Sequence, residues 1–284
     1  MLFVAGVSIR VVPQQGGRMP TISRLFIYPI KSCAPVEVEQ LVFDEYGPVG
    51  DRRFLLVDEQ GGFITQRQQP KMAHIRPELK ASVLMVAFAG KDTLEVPLRE
   101  HAAVLQTVSV WSDTLPAEDC GDEAAAWFSD VLGIACRLVR LPADSQRQVD
   151  LRYAEPGQWV SFADGFPVLV TTESSLGALS ERVGRELKME RFRPNVVLAG
   201  TAVFAEREWH SLLHKDGLLN ICKPCQRCVI PTRSMETLER EGDVLDALKE
   251  FCRIDGKIIF GQNALVSGVQ VLNIGDELVE HFKQ

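Results

Sequence analysis

Three thiols fall within seven residues in Cys222-Lys223-Pro224-Cys225-Gln226-Arg227-Cys228, from a total of seven cysteines in the chain. An iron–sulfur cluster would need a fourth cysteine a few residues on, and Val229-Ile230-Pro231-Thr232 supplies none. Zinc would have to recruit the distant Cys252, whereas ribbon sites show two paired Cys-x-x-Cys knuckles. Buried, unreactive thiols beside a strand remain open as the plain reading. Arg227 favours a single-thiolate site at Cys228, because a guanidinium next to a thiol stabilises the thiolate, the form that ligates a metal or attacks sulfur.

A second group is Arg191-Phe192-Arg193-Pro194-Asn195, in which Pro194 imposes extended backbone on Arg193 and so points Arg193 and Asn195 to one side of a strand. Arg offers a fork for phosphate, and Asn offers the paired donor and acceptor that suit a heterocycle edge. Lys31-Ser32, Asp51-Arg52-Arg53-Phe54, Thr65-Gln66-Arg67-Gln68 and Thr171-Thr172-Glu173-Ser174 put further cations and hydroxyls at strand ends. Neither GxGxxG nor GxxxxGK[ST] occurs, so an anionic ligand would be held by scattered side chains and loop amides. His210 and His214 stand i,i+4, but Ser211 occupies the place a zinc-protease Glu would need, and the pair reads as the surface of an amphipathic helix. No GxSxG elbow is present.

Short strands separated by turns position these groups. Ile22 to Ile30 delivers Lys31 and Ser32 to a loop, and Arg53 to Val57 and Phe63 to Thr65 flank Gly61-Gly62 as a hairpin with Arg53 and Arg67 at its open ends. Strands are expected at Ala81 to Phe88, Thr93 to Pro97, Leu105 to Trp111, Ala135 to Leu141, Phe166 to Val170 and Pro194 to Leu198. Helices are expected at Gly121 to Leu132, Ser174 to Leu187 and Val244 to Phe251. The result is an α+β, β-rich barrel or sandwich. The polar stretch from Pro142 to Gln158 divides the chain into domains over 19–141 and 142–284, preceded by a leader over 1–18 that reads as disordered or as a misplaced start before Met19.

With 31 Lys+Arg against 38 Asp+Glu, the net charge of -7 and pI of about 5.4 disfavour nucleic acid and anionic lipid as partners. No apolar run approaches the ~20 residues of a membrane helix. An odd number of cysteines in a chain long enough for a core suits reduced thiols, which points to the cytoplasm.

The motifs Ile27-Tyr28-Pro29-Ile30-Lys31-Ser32, Asp51-Arg52-Arg53-Phe54, Phe192-Arg193-Pro194-Asn195 and Cys225-Gln226-Arg227-Cys228, in that order, resemble the MOSC-domain proteins, in particular the amidoxime-reducing component and its bacterial YcbX-like relatives. The resemblance implies an N-terminal β-barrel-like domain packed on a MOSC β-barrel with a few helices, with molybdopterin-bound molybdenum between them. It implies Cys228 as the protein ligand to molybdenum, and Lys31, Ser32, Arg53, Arg193, Asn195, Arg227 and Ser174 as cofactor-binding positions. The implied activity is reduction of small N-hydroxylated compounds such as amidoximes, hydroxylamines and N-hydroxylated bases. Since no ferredoxin cysteine set precedes Gln284, electrons are expected from a separate iron–sulfur or flavin carrier with its reductase. Two other readings stay open: a sulfur carrier using a Cys228 persulfide, and a non-enzymatic zinc-stabilised binding module.

Overall fold

The computed structural model describes residues 19–98 and 104–283; the leader expected over 1–18 lies outside the described residues. Among the described residues the chain is β-rich with three α-helices.

The largest sheet has nine strands, running Val279–Phe282, Trp209–His214, Gly217–Gln226, Lys257–Ser267, Val168–Thr172, Val196–Ala199, Thr21–Ile27 and Val36–Val38, with Arg253–Ile254 added beside Lys257–Ser267. Its one parallel pair among the described residues is Val168–Thr172 with Val196–Ala199. Parallel neighbours need a crossover, and helix α2 (Glu173–Val183) supplies it. The Thr172 hydroxyl caps α2 by accepting from the Ser175 amide, and Gly184, at φ 76, ends it before the expected Leu187. The sheet curls until its ends meet, since the Ile22 amide donates to Asp276 O at 2.9 Å and the Leu278 amide to Pro20 O at 2.8 Å. Alternation along Thr21–Ile27 then sorts side chains. Leu25 and Ile27 enter the inner core with Val196 and Leu198, while Phe26 packs outside with Val197, α2 and helix α3 (Gly242–Phe251).

A second sheet joins Phe54–Val57, Arg137–Arg140, Asp113–Asp119 and Leu105–Val110. Phe54–Val57 is buried on both faces: Phe54 and Leu56 pack with Phe128 and Leu132 of helix α1 (Asp122–Leu132), and Leu55 and Val57 pack with Val108 and Val139. Thr21–Ile27, although N-terminal, pairs with Val196–Ala199, so the large sheet spans the sequence division at 141/142. The next residues cross to the second sheet, with the Phe54 amide donating to Pro29 O and the Lys31 amide to Phe54 O. The Lys31 loop is thereby clamped between the two sheets.

One element differs in type from the sequence reading. Residues 209–214, expected as an amphipathic helix, form a strand in which His214 is buried against Asp276 and His210 is exposed. A register shift between Trp209 and Ser211 accounts for the two histidines pointing differently despite their even spacing.

Candidate active site

A cavity of about 660 Å³ lies between the two sheets, within the size range of small-ligand and cofactor sites. Among the described residues six cations line it (Lys31, Arg52, Arg67, Arg193, Lys223 and Arg227), against a single carboxylate, Asp164. In a chain of net charge -7 this is a local inversion of sign.

The thiol wall comes from Gly217–Gln226, whose pairing with Lys257–Ser267 shifts register between Ile221 and Lys223 and again between Pro224 and Gln226. Each shift coincides with a cysteine, Cys222 and then Cys225, and such irregularities re-aim side chains beside sites. Opposite the second, Gly261 adopts φ +79, and a Cβ there would stand 2.8 Å from Val170 O and 2.8 Å from Thr171 Cγ2. Gly261→Ala is therefore expected to lower stability by on the order of 2–3 kcal/mol. Denaturant midpoints test this, and an unchanged midpoint would mean the strands do not approach so closely.

Cys228 lies just beyond the strand, exposed and lining the cavity. Cys225 lines it too, but the Cys222 thiol is turned away, donates to Asn220 O and is pushed up by burial. Arg227, expected to serve Cys228, donates through Nη1 to Cys225 Sγ at 2.9 Å and through Nη2 to Phe192 O at 2.7 Å. Cys252 sits in the outer core among α3 residues, and its thiol is pushed up to about 11 by burial. The four-thiol zinc set is therefore not assembled. Among the described residues no group of three or more His, Cys, Asp or Glu side chains is arranged around a metal position.

Lys31, 6% exposed, donates to Phe162 O at 2.7 Å and to Asp164, and burial pushes its ammonium down to about 8 despite Asp164. Ser32 lines the cavity in a left-handed turn, φ 68, with its carbonyl accepting from Gln66 Nε2. Arg193 also lies in left-handed backbone, φ 56, at the end of the short Met189–Phe192 turn, rather than in the extended form that Pro194 suggested. Its guanidinium and that of Arg52 both stack on the Tyr28 ring, at 4.1 and 4.4 Å. Arg52 pairs with Asp51 and donates to Asn195 Oδ1 and Arg193 O. Asn195 lines the cavity, but its amide clasps the walls: Oδ1 accepts from Arg52 and the Leu169 amide, and Nδ2 donates to Phe26 O.

Two expected residues are elsewhere. Arg53 turns to the opposite face, donating to Asp44 and Pro48 O and stacking on Tyr46, because the left-handed turn at Arg52, φ 49, sends Arg52 inward in its place. Ser174 lies at the start of α2, where its hydroxyl engages Thr201 and Ala202 O in closing the helix against the following loop. Sequence reasoning missed Trp111 and Asp164. Trp111 follows a strand and Asp164 stands in an Asp-Gly turn before a buried strand, but nothing local shows that Trp111 Nε1 reaches Asp164 Oδ1 at 3.1 Å.

Residues 19–135 match the MOSC N-terminal beta barrel domain and residues 157–279 the MOSC domain. The chain is 32% identical to mitochondrial amidoxime-reducing component 1 of Mus musculus, covering 90% of this chain and 81% of that protein. It is 29% identical to mitochondrial amidoxime reducing component 2 of Rattus norvegicus, covering 90% and 82%. Molybdenum cofactor sulfurase of Danio rerio is 30% identical over 97% of this chain but only 36% of its own length.

Proposed function

The chain belongs to the MOSC-domain family, and on that premise we propose that it binds molybdopterin-type molybdenum cofactor and reduces small N-hydroxylated compounds with electrons from a separate donor protein. The observation that carries this reading is the cation-lined cavity with the exposed Cys228 thiol on its wall. Two lining guanidiniums fit an anionic occupant, since Arg193 Nη2 and Arg227 Nε are buried without a hydrogen-bond partner. Burial also pushes Arg193 down to about 10, with the neighbouring Arg52 cation acting in the same direction.

In this reading Cys228 provides a soft thiolate to molybdenum, and Lys31, Ser32, Arg52, Arg193 and Arg227 hold the pterin and its phosphate. When bound, the cofactor supplies two-electron reduction at the N–O bond. The overall conversion takes one N-hydroxyl group, two electrons and two protons to the amine-type product and water. Lys31 Nζ holds a proton at the cavity wall, where burial pushes its ammonium down to about 8 in the protein alone. Asp164 orients that ammonium. Asn195 keeps the Arg52 fork and the Leu169 backbone in fixed relation, which preorganises the anion-binding wall.

Protein produced in a cofactor-competent host is expected to carry molybdenum and pterin at one equivalent each, and to turn over benzamidoxime with an artificial low-potential reductant but not with NADPH alone. Elemental analysis, pterin fluorescence and product chromatography check this. Metal-free protein, zinc in place of molybdenum, or full activity with NADPH alone would overturn it.

A further inference from the structure

Most of the cavity's cations have protein partners. Arg52 is paired with Asp51 and Lys31 with Asp164, while Arg193 and Arg227 donate to the carbonyls of Cys33 and Phe192. Arg67 differs. Its backbone amide and Nε make long bonds to Thr65 Oγ1, 3.3 and 3.4 Å, and among the described residues its terminal nitrogens meet neither carboxylate nor carbonyl. Its guanidinium instead lies over the Trp111 ring at 4.5 Å.

That platform is itself fixed. Trp111 sits at the tip of the hairpin joining Leu105–Val110 to Asp113–Asp119, in left-handed backbone at φ 58. Its indole Nε1 donates to Asp164, and its ring meets Phe63 edge-on at 5.2 Å. Trp111 is 49% exposed and lines the cavity, so it forms part of its open rim. A left-handed tryptophan is costly and is retained only where surrounding contacts hold it.

We propose that Arg67, held over the Trp111 ring, is a substrate clamp that binds a carboxylate on the N-hydroxylated substrate, so that the enzyme prefers carboxylate-bearing substrates to neutral ones. This rests on the reductase reading above. A planar fork with free terminal donors matches a carboxylate in bidentate fashion, and stacking on the indole pre-orders it so that little rotamer freedom is lost on binding. Because the chain is acidic overall, an anionic substrate gains little from the general field and depends on such a local contact.

The test compares benzamidoxime with 4-carboxybenzamidoxime, which differ by one carboxylate. For the parent, kcat/KM is expected to favour the carboxylated compound by about tenfold, the equivalent of one charge-assisted contact. Arg67→Ala should bring that ratio toward one, and Arg67→Lys should restore only part of it. In parallel, tryptophan-fluorescence titration of the holoprotein with 4-carboxybenzamidine and with benzamidine, which need no reduction, should show the same selectivity. An unaltered ratio in Arg67→Ala overturns the clamp. So does loss of molybdenum and pterin from Arg67→Ala, which would assign the residue to the cofactor. If the parent reduces neither amidoxime, the reductase reading fails, and the titration still decides the clamp: equal affinity of parent and Arg67→Ala for 4-carboxybenzamidine would reject it.

Discussion

Cys228→Ser is expected to cut molybdenum retention by more than about 100-fold, beyond the ~10–100-fold typical of losing a supporting partner, whereas Cys225→Ser should keep most of the metal. A serine hydroxyl is a hard, protonated donor in place of a soft thiolate, so the anchor itself is lost at position 228. At position 225 the expected outcome is milder because of what Cys225 touches. Its sulfur accepts from Arg227 Nη1 at 2.9 Å, and a hydroxyl oxygen can accept the same bond. Cys222→Ser serves as a control, since that thiol donates to Asn220 O within its own strand. Elemental analysis after extensive dialysis, with circular dichroism to confirm folding, gives the comparison. Equal loss or equal retention in the Cys228 and Cys225 variants would exclude a single anchoring thiolate.

The Arg227–Cys225 contact also shows where sequence reasoning stops. Adjacency suggested that Arg227 assists Cys228, but the Arg227 amide bonds Ile258 O and the side chain folds back two residues to Cys225. The motif was legible; the partner was set by a register shift that residue types do not encode. Arg52 and Arg53 present the same difficulty in another form. Two consecutive arginines at a strand start must point in different directions, and which one faces the cavity depends on the φ of 49 at Arg52. Helix α1 was readable because its cues are local: Ala124, Phe128, Val131 and Leu132 at helical spacing, and Gly133 to stop it. The two-part barrel plan was readable as well, through the resemblance. Membership of Thr21–Ile27 in the large sheet was not, since its partner Val196–Ala199 lies some 170 residues away and alternation names no partner. Trp111 and Asp164 were missed for the same reason, being joined only by tertiary structure.

Arg193→Ala is expected to weaken cofactor retention by about 10–100-fold while leaving the stability of the cofactor-free protein nearly unchanged. The two halves of that expectation have one cause. Arg193 is a buried cation beside a second one, Arg52, and burial pushes it down to about 10; without an anion bound it adds little to the folded state. Removing it leaves Cys33 O without a donor but also removes the repulsion between the guanidiniums, and these effects oppose each other. With an anion bound, the partnerless Nη2 gains an acceptor, and the same residue becomes stabilising. The difference in melting temperature between loaded and cofactor-free protein should therefore shrink in Arg193→Ala, by the equivalent of ~1.4 kcal/mol for each tenfold loss of affinity. Arg193→Lys should not restore it. An ammonium keeps the charge but lacks the planar fork that lies over Tyr28 and donates to Cys33 O with further nitrogens to spare. Calorimetry of both variants with and without cofactor reads these quantities directly. A lysine variant that matches the parent would mean that charge alone matters at this position, and an alanine variant that keeps its full cofactor through dialysis would shift the anion contact to Arg52 and Arg227.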